Sequence, residues 1–420
     1  MEQTKSPYNK IVVLCLYLYA AFVFMFNADA TKNRYIYLAF ILLAGLLMVG
    51  VLRRGRLHIC RELILLVLYT LVGFLSVFWG VDTNKVTTMA KTLLILTALA
   101  VLLYDWNFKA RCPEVLLKAI ILGGTCEAIY FILLYGLDTV LDAITAGYRI
   151  GFMVNNPNAV GNSIAISLVA IFGYAICYRR YKALLLAVPN LVVLFAANSR
   201  TAVVSLLVGI AVVTCAQLRS ISDKKGLKRL TTVILVVVGV IAGWNVIKTM
   251  PFLAGITQRF EDLIGVLTET NAGGAVGDDS AEHRMEYMIL GLQQFLDTPI
   301  LGNGLGCAGY VIKEKYGIFT YLHNNVAEIL ASGGLVGFGL YYGMYVLAMP
   351  KHFRLLKTRN PIVTVSLGLM CTELISHIGC VNYYSKIVYL LFVLWFSVAN
   401  GDFTGSEEGK CDEEGLDRCQ

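Results

Sequence analysis

The sequence predicts an all-α, polytopic membrane protein of about twelve transmembrane helices, and two observations support this prediction. First, 57% of the 420 residues are hydrophobic and only 15% are charged, which leaves more apolar surface than a soluble chain could bury. Second, the apolar residues fall in blocks of about 17 or more residues, the length that crosses a bilayer. These blocks lie near residues 10–26, 35–52, 62–79, 87–104, 114–135, 158–178, 182–197, 200–217, 229–248, 322–349, 361–379 and 385–400.

The distribution of Lys and Arg predicts the orientation of these helices. Basic residues collect in one set of alternate loops, including residues 53–61, 179–182, 219–229 and 351–359. Because such loops stay in the cytoplasm, both termini are predicted inside and the long segment 249–321 outside. The first block is followed at once by another and has no small-residue cleavage site, so it is interpreted as a retained helix. The net charge of +7 belongs mostly to the inner loops and does not indicate nucleic acid as a partner.

This orientation divides the chain into four parts. Residues 1–248 hold helices 1–9, 249–321 form an extracytoplasmic cap loop, 322–400 hold helices 10–12, and 401–420 are an acidic cytoplasmic tail predicted to be disordered. The cap loop contains an amphipathic helical pattern that Pro299 ends, so we expect a small folded cap against the membrane. Its apolar face is predicted to comprise Met285, Met288, Ile289, Leu292, Phe295 and Leu296.

His323 is the leading candidate for acid–base chemistry. It lies where the cap loop re-enters the membrane, and histidine is the side chain whose proton moves near neutral pH. Asn324 follows it and opens a helix that carries the intramembrane acid Glu328. Glu328 is hypothesised either to orient His323 or to face a cavity.

Three arginines are candidates for binding an anion, because a guanidinium holds phosphate oxygens bidentately and keeps its charge. Arg200 lies between two spans joined by almost no loop, beside Ser199, and could equally be an arginine that snorkels to the interface. Arg149 precedes an Asn-Asn-Pro-Asn run that is typical of a turn and helix cap. Arg284, next to His283, could equally belong to an ordinary charged helix face.

Several other motifs favour structural interpretations. Glu373 and His377 are four residues apart on one helix face, where a packed polar pair is expected, and Glu127 is treated in the same way. The segment 301–306, Leu-Gly-Asn-Gly-Leu-Gly, is interpreted as a flexible connector that lets backbones approach closely, not as a phosphate loop. The sequence leaves open whether Cys307 and Cys380 form a disulfide. No Cys or His cluster has metal-ligand spacing, so neither a metal nor another cofactor is predicted.

Taken in order, these motifs resemble the O-antigen ligase and O-antigen polymerase superfamily of membrane glycosyltransferases. The matching pieces are Arg149 before Asn-Asn-Pro-Asn, the Ser199-Arg200 pair, Arg284 ahead of Thr-Pro-Ile-Leu-Gly-Asn-Gly-Leu-Gly, and His323-Asn324 before a Gly-Gly-Leu-Val-Gly run. The resemblance covers residues 145–345. Thr201 departs from it, because many members have Gly or Ala after the Ser-Arg pair.

The resemblance implies a GT-C-like helical fold in the bacterial cytoplasmic membrane, with the active site on the outer face. It implies metal-independent transfer of a glycan from an undecaprenyl-diphosphate donor to an acceptor glycan or glycolipid among the membrane lipids. His323 would be the general base, and Arg200 and Arg284, with Arg149, would bind the diphosphate. Ser199, Asn324 and Glu328 would support them.

Ligases and polymerases share these residues, so the acceptor, the sugar and the linkage stay open, as does the oligomeric state. We favour a polymerase of O-antigen, capsule or exopolysaccharide repeats over a ligase. The alternative from another class is a multi-pass transporter or exporter of lipid-linked glycans or small solutes. The absence of duplicated halves and the presence of the cap loop weigh against a transporter.

Overall fold

A computed structural model describes residues 6–26, 30–150, 156–221 and 279–401, and this part of the chain contains helices and no strand. Within the described ranges, several neighbouring helices are linked by short turns and 3₁₀ segments. They are α1 (Pro7–Phe26), α2 (Asn33–Arg54), α3 (Arg61–Leu75), α4 (Thr83–Ala110), α5 (Pro113–Tyr135), α6 (Leu137–Ala146), α7 (Pro157–Cys177), α8 (Ala187–Ala197), α9 (Arg200–Ile221), α10 (Asp279–Asp297), α11 (Tyr310–Tyr316), α12 (Asn325–Leu355), α13 (Pro361–Ser376) and α14 (Lys386–Ala399).

Eight helical segments in the described residues are long and apolar enough to cross a membrane, namely α1, α2, α3 with its 3₁₀ end, α4, α5, α7, α9 and α12. Three shorter apolar segments, Tyr181–Ala197, α13 and α14, correspond to further predicted blocks. The predicted span at 229–248, residues 249–278 of the predicted cap and the tail from 402 onward lie outside the described residues. The chain is a multi-pass integral membrane protein; the total of twelve spans, the GT-C-like arrangement and the orientation stay predictions.

The centre of the molecule is formed by α7, α13 and α14, in which nearly every described side chain is buried. α13 packs against both α7 and α9, while α14 packs against α4. Small residues allow this close contact: a Cβ atom at Gly209 of α9 would overlap the Thr372 hydroxyl of α13. Close helix approach through small residues is the usual way that membrane helices gain packing energy.

Two buried carboxylates hold the helix ends that are predicted to face the cytoplasm. Asp105 is fully buried and accepts from Arg54 and, at 2.9 Å, from the backbone N–H of His58. Glu62 is also fully buried and accepts from Lys351 Nζ at 2.6 Å. The basic residues of this side are therefore partly internal counter-ions, because a buried carboxylate is stable only when it is paired.

The long helix α12 is broken at Gly334, whose backbone adopts φ 59° and ψ −161°. The segment 299–304 fills the break and satisfies the backbone groups that it frees. The N–H groups of Leu335 and Val336 donate to the carbonyls of Pro299 and Ile300, at 2.8 and 3.1 Å. In return, the N–H groups of Asn303 and Gly304 donate to the carbonyls of Ala331 and Ser332, at 2.9 and 3.0 Å. Such mutual satisfaction is required wherever a helix breaks at membrane depth.

The glycines of the Leu-Gly-Asn-Gly-Leu-Gly segment allow this contact. Gly302 has φ 65° and lies so close to the backbone of residues 332–334 that a Cβ atom would overlap it. The close backbone approach predicted for this segment is confirmed, and its partner is the Gly-Gly run of α12.

Replacing Gly334 with Ala should lower the free energy of unfolding of the purified protein by about 1–3 kcal/mol, and with it the unfolding temperature. An alanine would have to adopt a positive φ and would overlap the backbone of Ile300. Gly333→Ala is the matched control, because no atom lies within 4 Å of a Cβ atom at that position. Equal unfolding temperatures for the two variants in detergent would show that the break does not depend on Gly334.

Candidate active site

His323 lies in the short turn before α12, in the left-handed backbone region with φ 56°. This conformation is unfavourable for a residue with a side chain, so neighbouring contacts must hold it. The Glu328 carboxylate accepts the N–H of Leu322 at 2.9 Å, and Asn324 Oδ1 accepts the N–H of Ala327 at 3.0 Å. Glu328 therefore fixes the backbone that carries His323, and Asn324 caps the helix behind it.

The imidazole of His323 lies among aromatic rings. Its centroid is 4.2 Å from the Tyr321 ring and 6.4 Å from the Tyr287 ring. Within the described residues the imidazole has no hydrogen-bond partner, and its Nδ1 is buried. Burial, reinforced by the nearby Arg284 guanidinium, lowers the pKa of His323 to about 4. At neutral pH the ring is therefore uncharged and able to accept a proton.

Tyr321 connects His323 to the Asn-Asn-Pro-Asn segment. Its hydroxyl accepts a hydrogen bond from Asn156 Nδ2. The other side-chain atom of Asn156, Oδ1, caps α7 by accepting the N–H of Asn158 at 2.9 Å, and Pro157 occupies the first helical position. The predicted cap at the start of this helix is confirmed, and it also supports the turn that carries His323.

Asn158 in turn joins two of the predicted site residues. Its Oδ1 accepts from Arg149 Nη2 at 2.6 Å and from Ser199 Oγ at 3.0 Å. Arg200 follows Ser199 directly and is the first residue of α9. One small region, where the loop after α6 meets the α8–α9 junction, therefore contains the backbone of Arg149, Ser199 and Arg200.

The turn between α13 and α14, residues 377–383 and here called the hub turn, is held by Asn325 at the start of α12. Asn325 is fully buried, and its N–H donates to the His377 carbonyl at 2.9 Å. Its Oδ1 accepts the backbone N–H groups of Asn382 and Tyr383, at 2.9 and 3.1 Å. The adjacent Asn324 donates from Nδ2 to the Ile378 carbonyl at 3.3 Å.

The hub turn also borders the arginines. Burial raises the pKa of the Cys380 thiol to about 12; Glu373 adds to the rise, and Arg284 and Arg149 oppose it. Both guanidinium groups are thus close enough to act electrostatically on one buried residue. Gly379 packs against Thr201, and a Cβ atom at Gly379 would overlap the threonine side chain. The Thr at 201 is accommodated because its neighbour in the hub turn has no side chain.

Glu373 and His377 form the packed polar pair that their spacing predicted. His377 Nε2 lies 3.4 Å from Glu373 Oε1, and both side chains are buried. Tyr342 of α12 contacts His377 Nδ1 at 3.2 Å, while Asn382 donates to Glu373 Oε1 at 3.0 Å. The pair therefore connects the hub turn to the end of α13 and to α12. Glu127 also has a polar contact, since Ser163 Oγ donates to its carboxylate at 2.7 Å.

The cap helix α10 docks onto the residue before His323. Gly291 of α10 lies over the Leu322 side chain, which belongs to a small apolar cluster with Ala308 and Ile312. Tyr287 and Met288 pack on the same cluster. The predicted apolar face is used only in part, because four of its other members are more than a third exposed, namely Met285, Ile289, Leu292 and Leu296. Placement of this cap against a membrane stays a prediction.

The described residues contain no group of three or more His, Cys, Asp or Glu side chains in an arrangement that could hold a metal ion. Cys307 and Cys380, for which a disulfide was left open, are both free and buried.

The O-antigen ligase family model matches residues 183–342. The match supports a place in the O-antigen ligase and polymerase superfamily. The match confirms the resemblance predicted from the sequence, and it includes Arg200, Arg284 and His323, while Arg149 precedes it. No curated protein matches the chain. The O-antigen ligase match supports a membrane glycosyltransferase-type enzyme that acts on surface polysaccharide, with a lipid-linked glycan donor and an acceptor.

Sequence reasoning missed Asn325, Asn158 and Tyr321. Asn325 is the second asparagine of a motif in which only the first was selected. Tyr321 and Asn325 act on partners far away along the chain, and Asn158 joins Arg149 to the distant Ser199, so no spacing rule could have identified these contacts.

Asn325→Ala should destabilise the protein by about 2 kcal/mol or more, because two buried backbone N–H groups would lose their acceptor. The control is Asn360→Ala, which removes a single helix-cap hydrogen bond at the start of α13, at the opposite end from the hub turn. That change should cost about 1 kcal/mol. Thermal unfolding of both purified variants measures the difference. An Asn325 variant no less stable than the control would contradict the role assigned to Asn325 in holding the hub turn.

Proposed function

We propose that this protein polymerises surface polysaccharide, transferring a glycan from an undecaprenyl-diphosphate donor to an acceptor hydroxyl on the outer face of the bacterial cytoplasmic membrane. The observation that carries the proposal is His323, a buried imidazole without a hydrogen-bond partner in the described residues, whose pKa is lowered by burial and by the Arg284 guanidinium. Support also comes from the O-antigen ligase match, which includes both residues. A ligase would use the same chemistry on another acceptor.

In the proposed reaction the acceptor oxygen attacks the anomeric carbon of the donor sugar. The new glycosidic C–O bond forms as the bond between that carbon and the diphosphate oxygen breaks. The acceptor proton passes to His323, and undecaprenyl diphosphate leaves with the bonding electron pair. His323 is therefore assigned as general base, and no residue becomes covalently attached to the glycan.

The arginines are assigned to the leaving group. A departing diphosphate gains negative charge in the transition state, and fixed guanidinium groups stabilise that charge most strongly where water is excluded. Arg200 and Arg284 would hold the diphosphate oxygens. Arg149, positioned by Asn158, would complete the basic cluster, with Ser199 as a nearby hydrogen-bond donor.

Donor binding should also activate the base. In the free protein the Arg284 guanidinium helps to keep the pKa of His323 near 4. A bound diphosphate would bring negative charge next to Arg284, and negative charge favours the protonated imidazole. The pKa of His323 should therefore rise when the donor binds, which makes the imidazole a stronger base at the moment it is needed.

Arg200→Lys should lower the rate of polymer formation about 10²-fold or more, although the positive charge is retained, because an ammonium group cannot reproduce bidentate contacts. Arg34→Lys is the matched control, since Arg34 is exposed at the start of α2, another helix end predicted to face outward. The assay uses purified, reconstituted protein with defined undecaprenyl-diphosphate glycans. Near-normal activity of Arg200→Lys would contradict the diphosphate-binding role and favour an arginine that only snorkels to the membrane interface.

His323→Ala should reduce the rate by about 10²–10⁴-fold while donor binding and folding are retained. In the wild type, kcat/KM for the donor should stay constant on acidification until the pH approaches 4, because the free imidazole is deprotonated above its lowered pKa. The acid limb of kcat should lie at higher pH, since it reports the donor complex. Activity retained in His323→Ala but lost in His283→Ala would reassign the base.

A further inference from the structure

We propose that a surface beside His323, here called the acceptor platform, binds the sugar that carries the attacking hydroxyl. It is formed by Tyr287 and Glu286 of α10 and by Lys315 and Tyr316 of α11. The inference rests on the proposed function, and it adds the position and the recognition chemistry of the acceptor subsite.

The platform contains two neighbouring aromatic rings, of which one is also a neighbour of His323. The Tyr287 ring lies 6.4 Å from His323 and is nearly parallel to it, at 20°. On the other side the centroid of Tyr316 is 6.0 Å from that of Tyr287, with 59° between the ring planes. Tyr287 is half-buried and Tyr316 is 39% exposed, so ring surface is accessible immediately next to the imidazole.

Contacts among its own side chains hold the platform together. Glu286 Oε1 accepts from Lys315 Nζ at 2.7 Å and from the Tyr316 hydroxyl, which joins α10 to α11. The Lys315 ammonium also lies 5.2 Å from the centroid of the Tyr316 ring. A surface that is fixed in advance loses less conformational entropy when it binds a partner.

The composition of the platform suits a pyranose. One face of a pyranose ring presents polarised C–H groups, which are attracted to the negative face of an aromatic ring, while its hydroxyls point outward around the edge. Glu286 and Lys315 flank the rings and are 38% and 48% exposed, so they can accept from and donate to those hydroxyls. Paired aromatic and charged side chains thus match both kinds of surface that a sugar offers.

The acceptor, and not the donor, fits this position. The acceptor hydroxyl must come within hydrogen-bond reach of His323, about 2.6–3.2 Å, and Tyr287 is a direct neighbour of that ring. The donor diphosphate is instead assigned to the arginines, two of which act on Cys380 in the hub turn. On this arrangement the acceptor platform supplies the sugar contacts and the arginines supply the charge contacts of the proposed site.

The test measures binding separately from turnover. Oligosaccharides released from the surface polysaccharide of the source strain, without lipid or diphosphate, are titrated into nanodisc-embedded protein and followed by saturation-transfer NMR. We expect binding to the wild type and to His323→Ala, an at least tenfold weaker affinity for Tyr287→Leu, and restored binding for Tyr287→Phe. Tyr37→Leu is the control, because Tyr37 is 51% exposed on α2.

Wild-type affinity in Tyr287→Leu, or no binding of the released oligosaccharides to the wild type, would overturn the platform. If Tyr287→Leu fails to fold by thermal unfolding, Tyr316→Leu provides the same comparison on the more exposed ring. Failure of the proposed function would look different: His323→Ala would still form polymer in the reconstituted assay, whatever the NMR titrations show.

Discussion

The arrangement around the candidate site depends on the buried amide of Asn325. Backbone N–H groups inside an apolar protein must find an acceptor, and two of those in the hub turn find theirs in this one side chain. Because Asn325 also begins α12, the same contact fixes His323, two residues earlier, against the hub turn. The Arg149 and Arg284 guanidinium groups act electrostatically on Cys380 of the hub turn, and its Gly379 packs on Thr201, next to Arg200. One buried hydrogen-bonding side chain therefore sets the relation between the base and the basic cluster.

Burial and charge act in the same direction on His323. Desolvation disfavours the imidazolium, and the Arg284 guanidinium repels it, so the ring is held neutral in the free protein. A neutral histidine without a partner carboxylate is a weak base, which is costly for catalysis unless the substrate changes its environment. An anionic donor would reverse one of the two effects, and it would do so only in the complex that needs the base. On the proposed mechanism, donor binding would thus be coupled to proton acceptance by His323.

The helices could be predicted from the sequence because membrane-length apolar blocks impose them, and eight described segments meet that criterion. Arg200, Arg284 and His323 could be selected because their residue types and order resemble a family, and the family match covers all three. The supporting residues could not, since Asn158 and Tyr321 act through partners 41 and 165 residues away. The left-handed backbone of His323 was equally unpredictable, because it depends on how Glu328 and Asn324 bond the turn around it and not on residue type. Long-range polar contacts, not hydrophobic pattern, decide the fine geometry here.

The cap is attached on both sides of the segment that carries His323. Behind it, residues 299–304 pair with the broken helix at Gly334, and in front of it Gly291 of α10 rests on Leu322. Glu328 ties Leu322 to α12, so a shift of α10 would be transmitted to the residue next to the base. These contacts join the cap to the start of α12, with Arg284 and Tyr287 on the cap and His323 on the turn. On the proposed mechanism, donor charge and acceptor sugar would then both meet residues of the cap next to this turn.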